Sequence, residues 1–135
     1  MEQKFYDEDQ NLTTSETTIM KAIWDEEKDI AIPDLIEKLR SKYGKDYART
    51  TVVTFLLKLA SKGFVKTYRQ GKISFVHAVK TEEEYKKKLL SEETEFWYQG
   101  SIPKLMAALF QNRKLTKDEV DEIKGLLNDI DISDN

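Results

Sequence analysis

Arg49, Thr50, Thr51, Thr54 and Lys58 crowd into ten residues, and Lys66, Arg69 and Lys72 follow within a short glycine-containing segment. Guanidinium and ammonium groups on a helix and an adjoining turn bind phosphate, and their affinity falls with salt. A threonine adds a methyl that packs on thymine and a hydroxyl that bonds a base edge or a phosphate oxygen, while an arginine at a helix start reaches guanine or phosphate. The chemistry is therefore recognition rather than turnover. No carboxylate pair stands in a catalytic frame, and there is no glycine-rich phosphate loop, His-x-x-x-His pair or Ser-His constellation, so no enzyme is expected. The absence of cysteine and the single histidine, His77, give no basis for a metal site or cofactor, and His77 reads as a packing or surface residue. Two alternatives stay open here: Thr50 as a helix cap and Thr51 as a core residue.

The 135-residue chain is acidic overall, with a net charge of -3 and pI near 5.3, which at first sight argues against nucleic acid. The distribution reverses that argument. Up to residue 37 the net charge is -8; from 38 to 80 eleven bases face only Asp46, net +10; beyond 80 it is -5. The middle block supplies the surface a polyanion needs. No stretch approaches a membrane span, and the start Met1-Glu2-Gln3-Lys4 lacks the layout of a secretion signal, so a cytoplasmic chain without membrane contact is expected.

Three amphipathic segments must position those bases. The first dozen residues read as an acidic lead-in, residues 1–13. From Thr14 or Ser15 a helix carries Ile19, Met20, Ile23 and Trp24 on one stripe and ends near Asp25. A second starts around Pro33, buries Leu35, Ile36 and Leu39, and closes at Tyr43-Gly44. The third runs from about Arg49 to Ser61, with Val52, Phe55, Leu56 and Leu59 inward and Gly63 as its C-cap. Two strand-like runs, 64–68 and 73–77, then flank a basic turn, Arg69-Gln70-Gly71-Lys72. The pattern predicts a mainly α protein with a small β wing: a winged helix-turn-helix over residues 14–80.

Residues 81–135 read as a helical dimerisation arm. Thr81 with Glu84 opens a helix from Glu82 to about Tyr98, Ser101 with Pro103 starts a second, and Thr116 with Glu119 opens a third. Three short helices bury little apolar area alone, so Phe96, Trp97, Leu105, Met106, Leu109, Phe110, Val120, Ile123 and Leu127 are expected to pair with a second copy. Capping of the first domain within a monomer is the competing assignment.

The run Thr14 to Trp24, the segment Arg49-Thr50-Thr51-Val52-Val53-Thr54-Phe55-Leu56-Leu57-Lys58-Leu59 with its Lys62-Gly63 exit, and the stretch from Phe96-Trp97-Tyr98-Gln99-Gly100 to Leu127 resemble the penicillinase-repressor family, also called the BlaI/MecI/CopY family. The resemblance covers nearly the whole chain. It implies a homodimeric repressor on a palindromic double-stranded DNA operator, controlling resistance genes of the beta-lactam type or stress-response genes. It assigns base or phosphate contacts to Thr50, Thr51 and Thr54, and wing contacts to Arg69 and Lys72. It also implies an inactivating protease or sensor pathway as a partner. Two departures limit the carry-over. The copper-responsive branch has a C-terminal cysteine cluster that this chain lacks, and the beta-lactam branch is cut at an Asn-Phe bond where the ungapped match puts Ala108-Leu109. A winged-helix docking module that never touches DNA is the alternative function.

Overall fold

A computed structural model describes residues 11–132, and the greater part of the expected acidic lead-in lies outside the described residues. The chain runs α1 (Thr14–Trp24), β1 (Ile30–Ala31), α2 (Ile32–Ser41), α3 (Arg49–Ser61), β2 (Val65–Gln70), β3 (Ile73–Ala78), α4 (Glu82–Tyr98), α5 (Ile102–Asn112) and α6 (Lys117–Asn128). It divides into two compact units, one ending at Glu93 and the other starting at Thr94.

In the first unit the apolar stripes of three helices close over a small antiparallel sheet, ordered β1-β3-β2, in the winged-helix arrangement. Ile19, Met20 and Ile23 of α1, Leu35 and Leu39 of α2, and Val52, Leu56 and Leu59 of α3 are buried together with Phe64, Val65 and Val76. Each of these larger side chains contributes about 1.5–3 kcal/mol by leaving water, so the stripe that holds α3 inward also fixes which of its faces looks out. The β1 pairing, Ile30 with Val76 and Ala31 with Phe75, was not expected from the sequence and ties the entrance of α2 to the wing.

Helix ends depart from expectation in instructive ways. The α1 N-cap is Thr13, not Thr14 or Ser15: its hydroxyl accepts from the Glu16 N–H while the Glu16 carboxylate accepts from the Thr13 N–H. In α2, Pro33 stands in the first turn one residue after the start at Ile32, where its missing N–H costs nothing, and Ile36 is only half-buried. For α3 the cap is Lys62 and Gly63 lies just beyond it at φ +82°, donating to the Ala60 carbonyl while Phe64 donates to that of Leu59. This paired closure drops Phe64 into the core. The wing turn is also tighter than expected, because Arg69 and Gln70 belong to β2 and only Gly71 and Lys72 span the turn.

The expected domain boundary at residue 80 falls short of where the first unit ends. Tyr85 of α4 packs its ring 5.7 Å from Trp24 and 5.5 Å from Phe64, and the Trp24 indole N–H donates to the Lys80 carbonyl at 2.9 Å. Leu12, within the expected lead-in, also packs on this core.

In the second unit α5 and α6 bury none of their side chains. Ser101 caps α5, and the Thr116–Glu119 capping box opens α6 as expected. The Arg113 guanidinium grips Glu119 at 2.7 and 3.1 Å and, with the Thr116 N–H, holds that carboxyl down at about 2. An open groove of about 630 Å³ between the two helices is lined by Leu109, Phe110, Leu115, Ile123 and Leu126.

Candidate nucleic-acid interface

Helix α3 presents Thr50, Thr54, Leu57 and Lys58 to solvent on the side opposite its buried stripe, and Arg49, its first residue, is exposed on the flank that faces the wing. Thr51 is half-buried on the flank, so it does not share that face fully. Thr50 lies inside the first turn and the N-cap is Ala48, which removes the capping alternative for Thr50. Thr54 donates its hydroxyl to the Thr50 carbonyl at 2.9 Å, leaving its methyl and its acceptor lone pairs outward. The helix start is electropositive: α1 and α6 begin with capping boxes and acids, whereas α3 begins on Arg49 with no side-chain cap and no acid in its first turn. Its unpaired N–H groups and the positive end of its dipole therefore reinforce the arginine.

Strand alternation sorts the wing residues. Arg69 stands opposite Ser74, and Thr67 opposite Val76, on the sheet face that turns toward α3. Arg49, Val53, Leu57 and Ala60 of α3 meet Thr67, Arg69 and Ser74 across a cleft of about 500 Å³. Lys66 pairs with His77 on the other sheet face, so the structure separates it from Arg69. Lys72 is exposed at the turn tip. On the outer face the Asp29 carboxylate accepts from the Tyr68 hydroxyl at 2.6 Å and meets His77 Nδ1 at 2.8 Å, and these bonds hold its carboxyl below the usual range. This bracing pins the wing to the loop before β1 and gives His77 its surface role.

Pairing separates the basic block into two populations. Lys38 meets Glu26 at 3.0 Å and Asp25 at 3.7 Å; Lys42 meets Asp25 at 2.8 Å; Arg40 pairs with Glu37 one turn away. Tyr43 also donates to Asp25, and burial together with that carboxylate pushes its hydroxyl up to about 12. Lys62 is held by Glu16 at 2.6 Å, and Lys80 lies over the Phe64 ring. Lys45, Arg49, Lys58, Lys66, Arg69 and Lys72 have no carboxylate partner among the described residues. Apart from Lys45, these are the residues of α3 and the wing.

Sequence reasoning missed three contributors. Glu16 is 1 % exposed and binds the end of α3 to the start of α1 through Lys62, a contact across 46 positions with no local signature. Asp29 had none either. Leu57, 67 % exposed, did carry a signal, since it falls outside the inward spacing of Val52, Leu56 and Leu59. Of the expected arm residues, Phe96, Trp97, Leu109, Phe110 and Leu127 are exposed and Leu105, Met106, Val120 and Ile123 half-buried. The Ala108–Leu109 bond lies in the interior of α5.

The chain matches the penicillinase repressor family model over residues 12–129. It is 25 % identical over 128 residues to the methicillin resistance regulatory protein MecI of Staphylococcus aureus strain N315, covering 95 % of this chain and 98 % of that protein. To the penicillinase repressor of Staphylococcus aureus it is 25 % identical over 119 residues, 88 % of this chain and 92 % of the other. Among solved structures, the solution structure of the DNA-binding domain of the repressor BlaI aligns with a TM-score of 0.49 at 22 % identity, over 59 % of this chain and 94 % of that one. Spanning both units with a single family match, the chain belongs to the penicillinase repressor family.

Proposed function

We propose that this protein is a cytoplasmic transcriptional repressor that binds a palindromic double-stranded DNA operator as a homodimer. Helix α3 enters the major groove, with Arg49, Thr50 and Thr54 toward base edges and Lys58 toward phosphate. Arg69 and Lys72 hold the neighbouring backbone, and Thr51 and Lys66 contribute from the flanks. The observation that carries this reading is the sorting of cations: Lys38, Arg40, Lys42 and Lys62 of the basic block are held by the chain's own acids, while Arg49, Lys58, Lys66, Arg69 and Lys72 of α3 and the wing have no carboxylate partner among the described residues. A docking module would not need those charges left free. The apolar surface around Leu109, Phe110, Leu126 and Leu127 supports pairing of the second units, which doubles the base pairs read.

The regulated genes, on this reading, confer beta-lactam-type resistance or serve a stress response, and a protease or sensor pathway relieves repression. Cleavage at Ala108–Leu109 would require α5 to open first, because its interior backbone is hydrogen-bonded. The test is fluorescence anisotropy of the full-length protein on the palindrome upstream of its own gene and on a scrambled duplex, at two salt concentrations. Tight, sequence-selective binding with two protomers per duplex is expected, and replacing both Arg69 and Lys72 by alanine, which removes two phosphate contacts from each protomer, should flatten the salt slope by up to roughly four. Equal weak binding to both duplexes would refute the reading and leave the docking module.

A further inference from the structure

Val53, Leu57 and Ala60 make an apolar strip along the part of α3 that faces the wing cleft. Leu57 is 67 % exposed, and it lies three residues after Thr54 and seven after Thr50, hence on the same outward side of the helix. Nothing in the core holds it: the inward stripe is completed by Val52, Leu56 and Leu59. At the centre of a recognition surface, Leu57 gains free energy by meeting an apolar group. The surroundings restrict what occupant brings that group. Arg49 and Arg69 line the same cleft, Lys58 is the next residue, and none of these cations has a carboxylate partner among the described residues. A purely apolar protein face would bury the two uncompensated arginines of the cleft, at a cost exceeding what one leucine returns. The occupant must be anionic at its margins and apolar at its centre.

The major groove of B-DNA meets both requirements. Phosphates border it, and the only apolar group on its floor is the C5 methyl of thymine. We infer that Leu57, flanked by Val53, is a specificity-determining residue that reads thymine methyl groups, so that the operator carries a required thymine under the middle of α3. This rests on the repressor reading and adds to it a named base, a named atom on that base and a residue that the polar contacts do not include. Thr54 and Thr50 bring their own methyls to the same face, but one and two turns nearer the helix start, where they meet neighbouring base pairs.

Deoxyuridine differs from thymidine by that methyl alone. The experiment takes a duplex recovered from a random-sequence pool by repeated binding to the full-length protein. Each thymine in turn is then replaced by deoxyuridine, symmetrically in the two half-sites, and affinity is measured by anisotropy. Burying one methyl is worth about fourfold in an equilibrium constant, so a symmetric pair should cost the wild-type protein about fifteenfold at the position Leu57 covers. Leu57→Ala should bind the thymine and uracil versions at that position equally, and Leu57→Met, which keeps an apolar reach, should restore the difference. Because Leu57 is exposed, neither change endangers folding. A wild-type protein indifferent to uracil at every position, or a Leu57→Ala variant with an undiminished difference, would overturn the inference while leaving the repressor intact. Failure to recover any selective duplex would instead remove the repressor reading, and the inference with it.

Discussion

Replacing Lys62 by methionine isolates the ion pair that ties the end of α3 to the start of α1. Lys62 Nζ donates to Glu16 Oε1 at 2.6 Å and to the Asn11 carbonyl at 3.0 Å, and Glu16 also accepts from the Thr13 N–H at 2.9 Å. Methionine keeps most of the stem and removes the charge. Breaking a fully buried pair costs about 3–5 kcal/mol; here the Lys62 side chain is 22 % exposed, so water screens the orphaned carboxylate and about 2–3 kcal/mol is expected near neutral pH. For a unit of this size that lowers Tm by roughly 8–20 °C. The pH dependence identifies the cause. In the native protein burial pushes the Glu16 carboxyl up, but the Lys62 hydrogen bond, the Thr13 N–H and the Lys62 charge together hold it below its ordinary 4.5. The pair therefore stabilises above that ordinary value, and the contribution is lost as pH falls through the lower folded value. In the variant the lysine's hydrogen bond and charge are gone while burial and the Thr13 N–H remain, so the carboxyl titrates higher than in the native protein and protonation relieves the penalty as pH falls. The stability gap between the two proteins should thus be widest near neutral pH and narrow by about pH 5. Urea melts followed by tryptophan fluorescence at both values, in a Trp97→Phe background so that Trp24 alone reports, measure it. A gap that stays constant with pH, or one below about 0.5 kcal/mol, would refute the ion pair as the fastening.

A fragment ending at Lys80 should be less stable than one ending at Glu93 by about 2 kcal/mol, because only the longer one keeps Tyr85 against Trp24 and Phe64; equal urea midpoints would show that α4 adds nothing to the first unit. Gly71→Val should destabilise the wing by about 1–2 kcal/mol through backbone conformation alone, since φ is +66° and a Cβ there meets nothing within 4 Å, whereas Gly71→Asn should be tolerated. Amide exchange across β2 and β3 reports both variants, and identical protection in the two would sink the argument.

The helices were legible because each carries its own signal. Arg49–Ser61 combines a stripe at helical spacing with a glycine exit, and Thr116–Glu119 is a self-contained box. The cap of α1 was harder, since Thr13, Thr14 and Ser15 all qualify by type and only Thr13 has a glutamate three residues on. Strand β1 was invisible: two residues have no measurable period, and Ile30 and Ala31 are extended only because β3 lies beside them. Charge alone grouped Lys66 with Arg69, while the period of two along a strand places them on opposite faces. The pairings of Glu16 with Lys62 and of Asp29 with Tyr68 join distant positions, which no local pattern encodes.

Net charge misleads for this chain because opposite charges in contact cancel at a distance while unpaired ones do not. An ion pair separated by about 3 Å is a dipole whose field fades within a Debye length of about 8 Å at physiological salt. Asp25, Glu26, Glu37 and Glu16 stand in such pairs with Lys38, Lys42, Arg40 and Lys62, so these eight residues contribute little to the potential an approaching polyanion meets. Arg49, Lys58, Lys66, Arg69 and Lys72 on α3 and the wing stay uncompensated, while the segments before residue 38 and after residue 80 carry a net excess of acid. Segments with excess acid repel a polyanion, so an acidic composition is compatible with binding through the basic segment. The same arrangement accounts for an apolar Leu57 among the cations: the charges draw the backbone in without regard to sequence, and discrimination must then come from groups that phosphate cannot satisfy.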